Sequence, residues 1–179
     1  MNQSSEVKEF LTFRMGDETF TLEASRVREV LKYTSITEVP RMPEYLPGVV
    51  NVRGNVIAVI NLGLVFGIKT VEDKKKGWLV ITETVLGHEP MQIGILADTV
   101  RDVIRLDTVR IRPAPDIGIN IDTEFIRGVG KQDDAFLIII DVDKVIAAVH
   151  ADLVRNNGHA EHRLFPTHGE SEYSPPSHG

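Results

Sequence analysis

Asp98 and Asp102 are the residues whose spacing first suggests catalysis. Four positions apart, two carboxylates could share one face of a helix and divide acid and base roles between them. A related segment earlier in the chain carries Ser25 and Glu29 at the matching positions, so capping and ion pairing account for the pair better. His159, His162, His168 and His178 crowd the C-terminal end. His159 and His162 could chelate a metal on a helix, although a solvated tail is the simpler reading. The other sets are incomplete. His88-Glu89-Pro90 lacks the second histidine of a zinc helix, and its proline would break that helix. Gly128-Val129-Gly130-Lys131-Gln132 imitates a phosphate loop, but Phe125 stands where the first glycine is needed and Gln132 replaces the magnesium-binding hydroxyl. Asp141 and Asp143 have too few oxygen neighbours for calcium, and helix capping suits them better. No enzyme and no cofactor are expected, and an enzyme or metal-binding protein built on Asp98/Asp102 or the tail histidines is the alternative.

The remaining polar residues of interest, Asn51 and Arg53, sit in the apolar stretch Leu46 to Leu62. Two β-branched runs, Val49 to Arg53 and Val56 to Ile60, flank Gly54-Asn55, which suits a two-residue hairpin turn with positive φ at its first position. Arg53 then lies opposite Val56, Val52 opposite Ile57 and Val50 opposite Val59. Val50, Val52, Ile57 and Val59 form one apolar face, and the other face offers Asn51 and Arg53 among Val49, Ala58 and Ile60. Arg53 can fork onto a carboxylate, either a partner's or that of Glu29, while Asn51 is expected to satisfy nearby backbone groups.

The elements that hold this hairpin follow in chain order. Phe10–Met15 and Thr19–Leu22 read as strands about a Gly16-Asp17 turn. Val27, Val30 and Leu31 recur at helical spacing, so Ala24 to Lys32 is expected to be a short helix. Pro40, Pro43 and Pro47 make a rigid connector. A helical turn over Leu62–Phe66 should end at Gly67, before a loop over Thr70–Lys76. Trp78–Thr82 and Gln92–Leu96 are strands joined near Gly87-His88. A second connector covers Arg112–Gly118, and Phe136–Ile140 is a buried strand. The final helix starts from Asp141 or Asp143, carries Val142, Val145, Ile146, Val149 and Leu153 on one stripe, and stops at Gly158. Residues 1–8 are a disordered leader, 9–154 the folded domain, and 155–179 a disordered His-, Ser- and Pro-containing tail.

An internal repeat runs through this order. Val27-Arg28-Glu29-Val30-Leu31-Lys32 matches Val100-Arg101-Asp102-Val103-Ile104-Arg105, and Tyr45-Leu46-Pro47-Gly48-Val49 matches Phe125-Ile126-Arg127-Gly128-Val129. Val56–Ile60 falls on Phe136–Ile140, and Lys131 and Asp133 stand where Asn51 and Arg53 do. Two β-rich subdomains follow. Each is too small to bury much surface alone, so they should share a core.

Composition narrows the partners. The net charge of -6 argues against nucleic acid, whose phosphates need a basic face. Without cysteine there are no disulfides or thiolate metal sites. No apolar stretch approaches the ~20 residues that cross a bilayer, so direct membrane insertion is not expected and the protein should be cytoplasmic.

Taken together, Gly16-Asp17-Glu18, Val27-Arg28-Glu29-Val30, Pro47-Gly48-Val49-Val50-Asn51-Val52-Arg53-Gly54, Phe66-Gly67, Asp98, Ile111-Arg112-Pro113-Ala114-Pro115 and Ile126-Arg127-Gly128-Val129-Gly130 resemble the CheW-like adaptors of bacterial chemotaxis. The resemblance covers about Glu9 to Leu153, and its Asn-x-Arg-Gly hairpin is the specific part. It implies a mainly β fold of two SH3-like five-stranded β-barrels around a joint hydrophobic core, with short helices and a C-terminal helix. It further implies a non-catalytic coupling protein that links chemoreceptor signalling tips to the regulatory domain of a CheA-type histidine kinase, recruited to membrane-associated receptor arrays. The positions matching the family's receptor-facing groove are Val27, Glu29, Val30, Gly48, Arg53, Trp78, Val100 and Gly128, with Asn51 and Gly54 supporting the hairpin. Asn61 and Gly63 depart from the aspartate and arginine usual in the family, which bears on one kinase-facing surface. No receiver domain or ATP site is evident, so a free-standing adaptor is expected.

Overall fold

A computed structural model describes residues 5–32, 35–68, 77–114 and 121–156. Among these residues, ten strands form two five-stranded sheets. Strands β1 (Val7–Met15), β2 (Glu18–Glu23), β8 (Thr99–Asp107), β9 (Ile126–Gln132) and β10 (Ala135–Ile140) pair in the order β8-β1-β2-β10-β9. Strands β3 (Val27–Lys32), β4 (Gly48–Val52), β5 (Asn55–Ile60), β6 (Trp78–Leu86) and β7 (Glu89–Ala97) pair as β3-β6-β7-β5-β4. The two orders superpose when β3, β4 and β5 are matched with β8, β9 and β10, and the β6–β7 hairpin with β1–β2. This is the expected pair of SH3-like barrels.

The chain threads them in a way the repeat does not reveal. Strands β3 to β7 are contiguous and form one barrel, inserted between β2 and β8 of the other. Each sequence copy, hairpin then strand then hairpin, therefore crosses from one barrel to the other. The inserted barrel packs Val50, Ile57, Val59, Leu79 and Ile81 inside it, and the discontinuous barrel packs Phe10, Ile104, Leu137 and Ile139. A larger cluster drawn from both, including Phe13, Phe20, Leu22, Ile60, Phe66, Val80, Ile95, Ile138 and Val145, lies between them. Aromatic rings line up through it: Phe20 stacks on Phe13 and Phe66, and Phe66 meets Phe125.

A capped helix follows the last strand of each copy. Helix α1 (Leu62–Val65) follows β5, with Asn61 Oδ1 accepting from Leu64 N at 3.2 Å. Helix α2 (Val142–Asn156) follows β10, with Asp141 Oδ1 accepting from Lys144 N at 3.3 Å. Asn61 thus retains the cap that Asp141 supplies in the other copy. The expected stripe Val142, Val145, Ile146, Val149 and Leu153 is buried.

Four expectations need correction. Ala24–Lys32 is not a helix but a 3-10 turn, Ala24–Arg26, followed by β3. The misleading spacing comes from a β-bulge between Val27 and Glu29: the extra residue lets Val27 and Val30, three apart, face the same core. The hairpin pairs Val50 with Ile57 and Val52 with Asn55, so Arg53-Gly54 rather than Gly54-Asn55 is the turn. Arg53 has φ of 52° and Gly54 of 86°, and a turn with both centres at positive φ matches the twist of the strands. The apolar face survives, because the shift moves every pairing by two positions and leaves each side chain on its side. Asp98 and Asp102 lie before and within strand β8, not on a helix face. Val7 and Lys8, placed in the leader, are strand, and α2 runs to Asn156. The 70–76 loop, the end of the second connector, Gly158 and the four tail histidines lie outside the described residues.

Candidate functional site

The sheets leave β3 and β4 as the two edges of the inserted barrel, and the structure closes that seam with few contacts. Thr37 in the connector bridges Val49 on β4, each backbone N–H donating to the other's carbonyl at 2.9 Å. At the hairpin tip Arg53 Nη2 donates to Glu29 Oε1 of β3 at 3.0 Å. The partners differ in exposure. The Arg53 side chain is 79% exposed and that of Glu29 24%. Asn51 Oδ1 accepts from Gly54 N at 2.9 Å, so Asn51 serves its own turn as expected.

Three of the apolar candidates pack toward the shared core. Val27 and Val30 on β3, and Val100 on β8, are half-buried against the shared core. Trp78, opposite Lys32 in the β3–β6 pairing, lies half-buried with the Lys32 ammonium 5.8 Å from its ring centre. The expected groove residues do not include Val103, the repeat counterpart of Val30. It pairs with core residue Leu11 yet is 54% exposed, because β8 carries a bulge between Val100 and Val103 equivalent to that in β3. The repeat alignment already sets it opposite Val30.

Gly48 and Gly128 are differently placed from the other candidates. Both are buried where a connector crosses the edge strand. A Cβ on Gly48 would lie 2.0 Å from Thr37 O, and one on Gly128 2.4 Å from Ile111 Cγ2 and 2.9 Å from Arg112 O. These glycines shape the seams from beneath. Arg53 and the valines present the surface.

The remaining charged groups tie elements together. Asp98 accepts from Gly16 N at 2.7 Å and closes the β1–β2 turn, whereas Asp102 is exposed and its carbonyl accepts from Thr12 Oγ1 at 2.8 Å. Asp143 takes Arg26, Thr84 and the Val85 N–H. Burial pushes its carboxyl up, but those hydrogen bonds and the Arg26 charge outweigh burial and hold it below the ordinary range. Among the described residues no group of three His, Asp or Glu is arranged to hold a metal, and no helix is long and apolar enough to cross a membrane.

Two SH3-like barrels on one core, with an exposed forked cation at the seam of the inserted one, define a two-barrel β domain. The CheW-like domain family matches residues 9–150, and the chain belongs to it. Chemotaxis protein CheW of Klebsiella aerogenes is 30% identical over 149 residues, 83% of this chain and 87% of that protein. CheW of Helicobacter pylori is 30% identical over 143 residues, 80% of this chain and 84% of its own. The crystal structure of the scaffolding protein TtCheW from Thermoanaerobacter tengcongensis matches with a TM-score of 0.69 at 34% identity, covering 80% of this chain and 90% of that one. The family is one of chemotaxis coupling and scaffold proteins.

Proposed function

We propose that this protein is a non-catalytic adaptor that couples chemoreceptor signalling tips to a CheA-type histidine kinase, in the cytoplasm beneath membrane-associated receptor arrays. The observation that carries the reading is Arg53: its guanidinium is held by a single hydrogen bond to Glu29 and otherwise faces solvent at the seam of the inserted barrel. A planar fork with free donors suits a carboxylate on a helical receptor tip, and Val27, Val30, Val100 and Trp78 offer the apolar contact that such a helix needs. Glu29 keeps the fork aimed in the absence of a partner. Gly48 and Gly128 let the connectors lie close beneath the edge strands. The kinase regulatory domain binds elsewhere, at the barrel ends.

The test mixes the purified protein with a receptor-tip fragment and the kinase. All three should assemble, and kinase output should change only when the adaptor is present. Failure to bind either partner overturns the assignment. Trp78 is the sole tryptophan, so its emission should shift on adding the receptor fragment and stay constant on adding the kinase regulatory domain.

A further inference from the structure

Helix α2 leaves the discontinuous barrel at β10 and lies along β6 of the inserted one. Its buried stripe secures it to the core, but apolar burial is non-directional and leaves sliding and rotation weakly determined. Side-chain bonds at two described points add direction. Near its start, Asp143 Oδ1 accepts from Arg26 Nη1 at 3.1 Å, Thr84 Oγ1 at 2.7 Å and Val85 N at 3.0 Å, while Oδ2 accepts from Arg26 Nη2 at 2.8 Å. This is a two-pronged guanidinium–carboxylate pair, a geometry that fixes orientation as well as distance. Arg26 immediately precedes Val27, so the pair holds the origin of β3. Further along the helix, Tyr45 Oη donates to Asp152 Oδ2, and the Tyr45 backbone carbonyl, just ahead of β4, accepts from Asn61 N at 2.8 Å. The tyrosine hydroxyl is pushed well above its ordinary range, first by burial and then by that carboxylate, so it remains a donor.

Both anchors therefore hold a residue just ahead of an edge strand of the inserted barrel, and those edge strands carry Val27, Glu29 and Val30 on one side and lead to Arg53 on the other. We propose that Arg26–Asp143 and Tyr45–Asp152 make α2 a two-point brace that sets the angle of these edge strands relative to the discontinuous barrel. Arg26, Tyr45, Asp143 and Asp152 are thus positioning residues for the groove. The link to receptor binding rests on the function proposed above, whereas the brace itself does not.

The absence of cysteine allows clean labelling. Nitroxides at Gln92→Cys on β7 and Lys131→Cys on β9, both exposed and one in each barrel, report the inter-barrel distance by pulsed electron resonance. The otherwise unaltered chain should give one narrow distribution. Combining Asp143→Asn with Tyr45→Phe, which keeps an acceptor for Val85 N–H and the ring in its place, should broaden it at least twofold. Arg26→Lys, retaining the charge and one prong, should fall between. The same double variant should bind the receptor-tip fragment about tenfold more weakly and the kinase regulatory domain within twofold of normal. An unchanged distance distribution overturns the brace. A broadened one with undiminished receptor affinity overturns its connection to the groove. If the unaltered protein fails to bind the receptor fragment, the proposed function falls, and the label distances still decide the brace.

Discussion

Arg53 occupies a left-handed backbone conformation at the end of a hairpin, a position that costs a residue with a Cβ about 1–2 kcal/mol. Its ion pair with Glu29 does little to offset that, because pairs this exposed contribute roughly 0–1 kcal/mol. Stability thus gives a weak reason for an arginine here, and the proposed recognition role gives a stronger one. Arg53→Glu should weaken receptor-tip binding at least tenfold in a titration while lowering the melting temperature by no more than about 4 °C. Glu29→Arg in the same chain would restore binding only if the internal pair were the residue's main role. The glycines behave in the opposite manner. Gly48→Ala drives a Cβ into the Thr37 carbonyl and should cost at least ~3 kcal/mol in urea unfolding, against about 1–2 kcal/mol for Gly54→Ala, which meets no atom and suffers only backbone strain. Asn51 was legible from sequence because an amide next to a tight turn has nearby backbone groups to satisfy. The burial of Gly48 and Gly128 was not, since it depends on connectors that arrive from elsewhere in the chain.

At the level of elements, the strands of three of the four hairpins were readable from β-branched runs and turn glycines. Strand β3 was not, and its bulge is the reason: one inserted residue turns a period of two into a spacing of three that imitates a helix. Strand β8 repeats the device, so the second copy carries the same misleading spacing. The Arg26–Asp143 pair sets a pH dependence for α2. The Asp143 carboxyl titrates below the ~3.9 of an unfolded aspartate, so its stabilisation is complete above that value and is lost as pH falls through the lower folded one. Acid unfolding followed by circular dichroism should show this loss below about pH 4, and Asp143→Asn should reduce stability at pH 7 and flatten the slope.

For the whole molecule, the shared core decides the unfolding behaviour. Residues 27–97 form a contiguous barrel, but excising them would expose Ala58, Ile60, Leu62, Phe66, Val80, Ile93 and Ile95. The fragment should show no protected amides in hydrogen exchange, while the full chain should unfold in one transition seen alike by Trp78 emission and circular dichroism. Phe66→Ala, removing the ring between Phe20 and Phe125, should cost about 3–5 kcal/mol and keep that single transition. The amino-acid sequence by itself determined a β-rich fold, its twofold repeat, the apolar hairpin face and the helix stripe, because these are periodicities of adjacent residues. Only the tertiary structure decided that each repeat crosses between barrels, that two edge strands bulge, and that Arg53 caps a seam against Glu29. Those features depend on which strands pair across tens of residues and which edges are left unpaired, and neighbouring side chains carry no record of that choice.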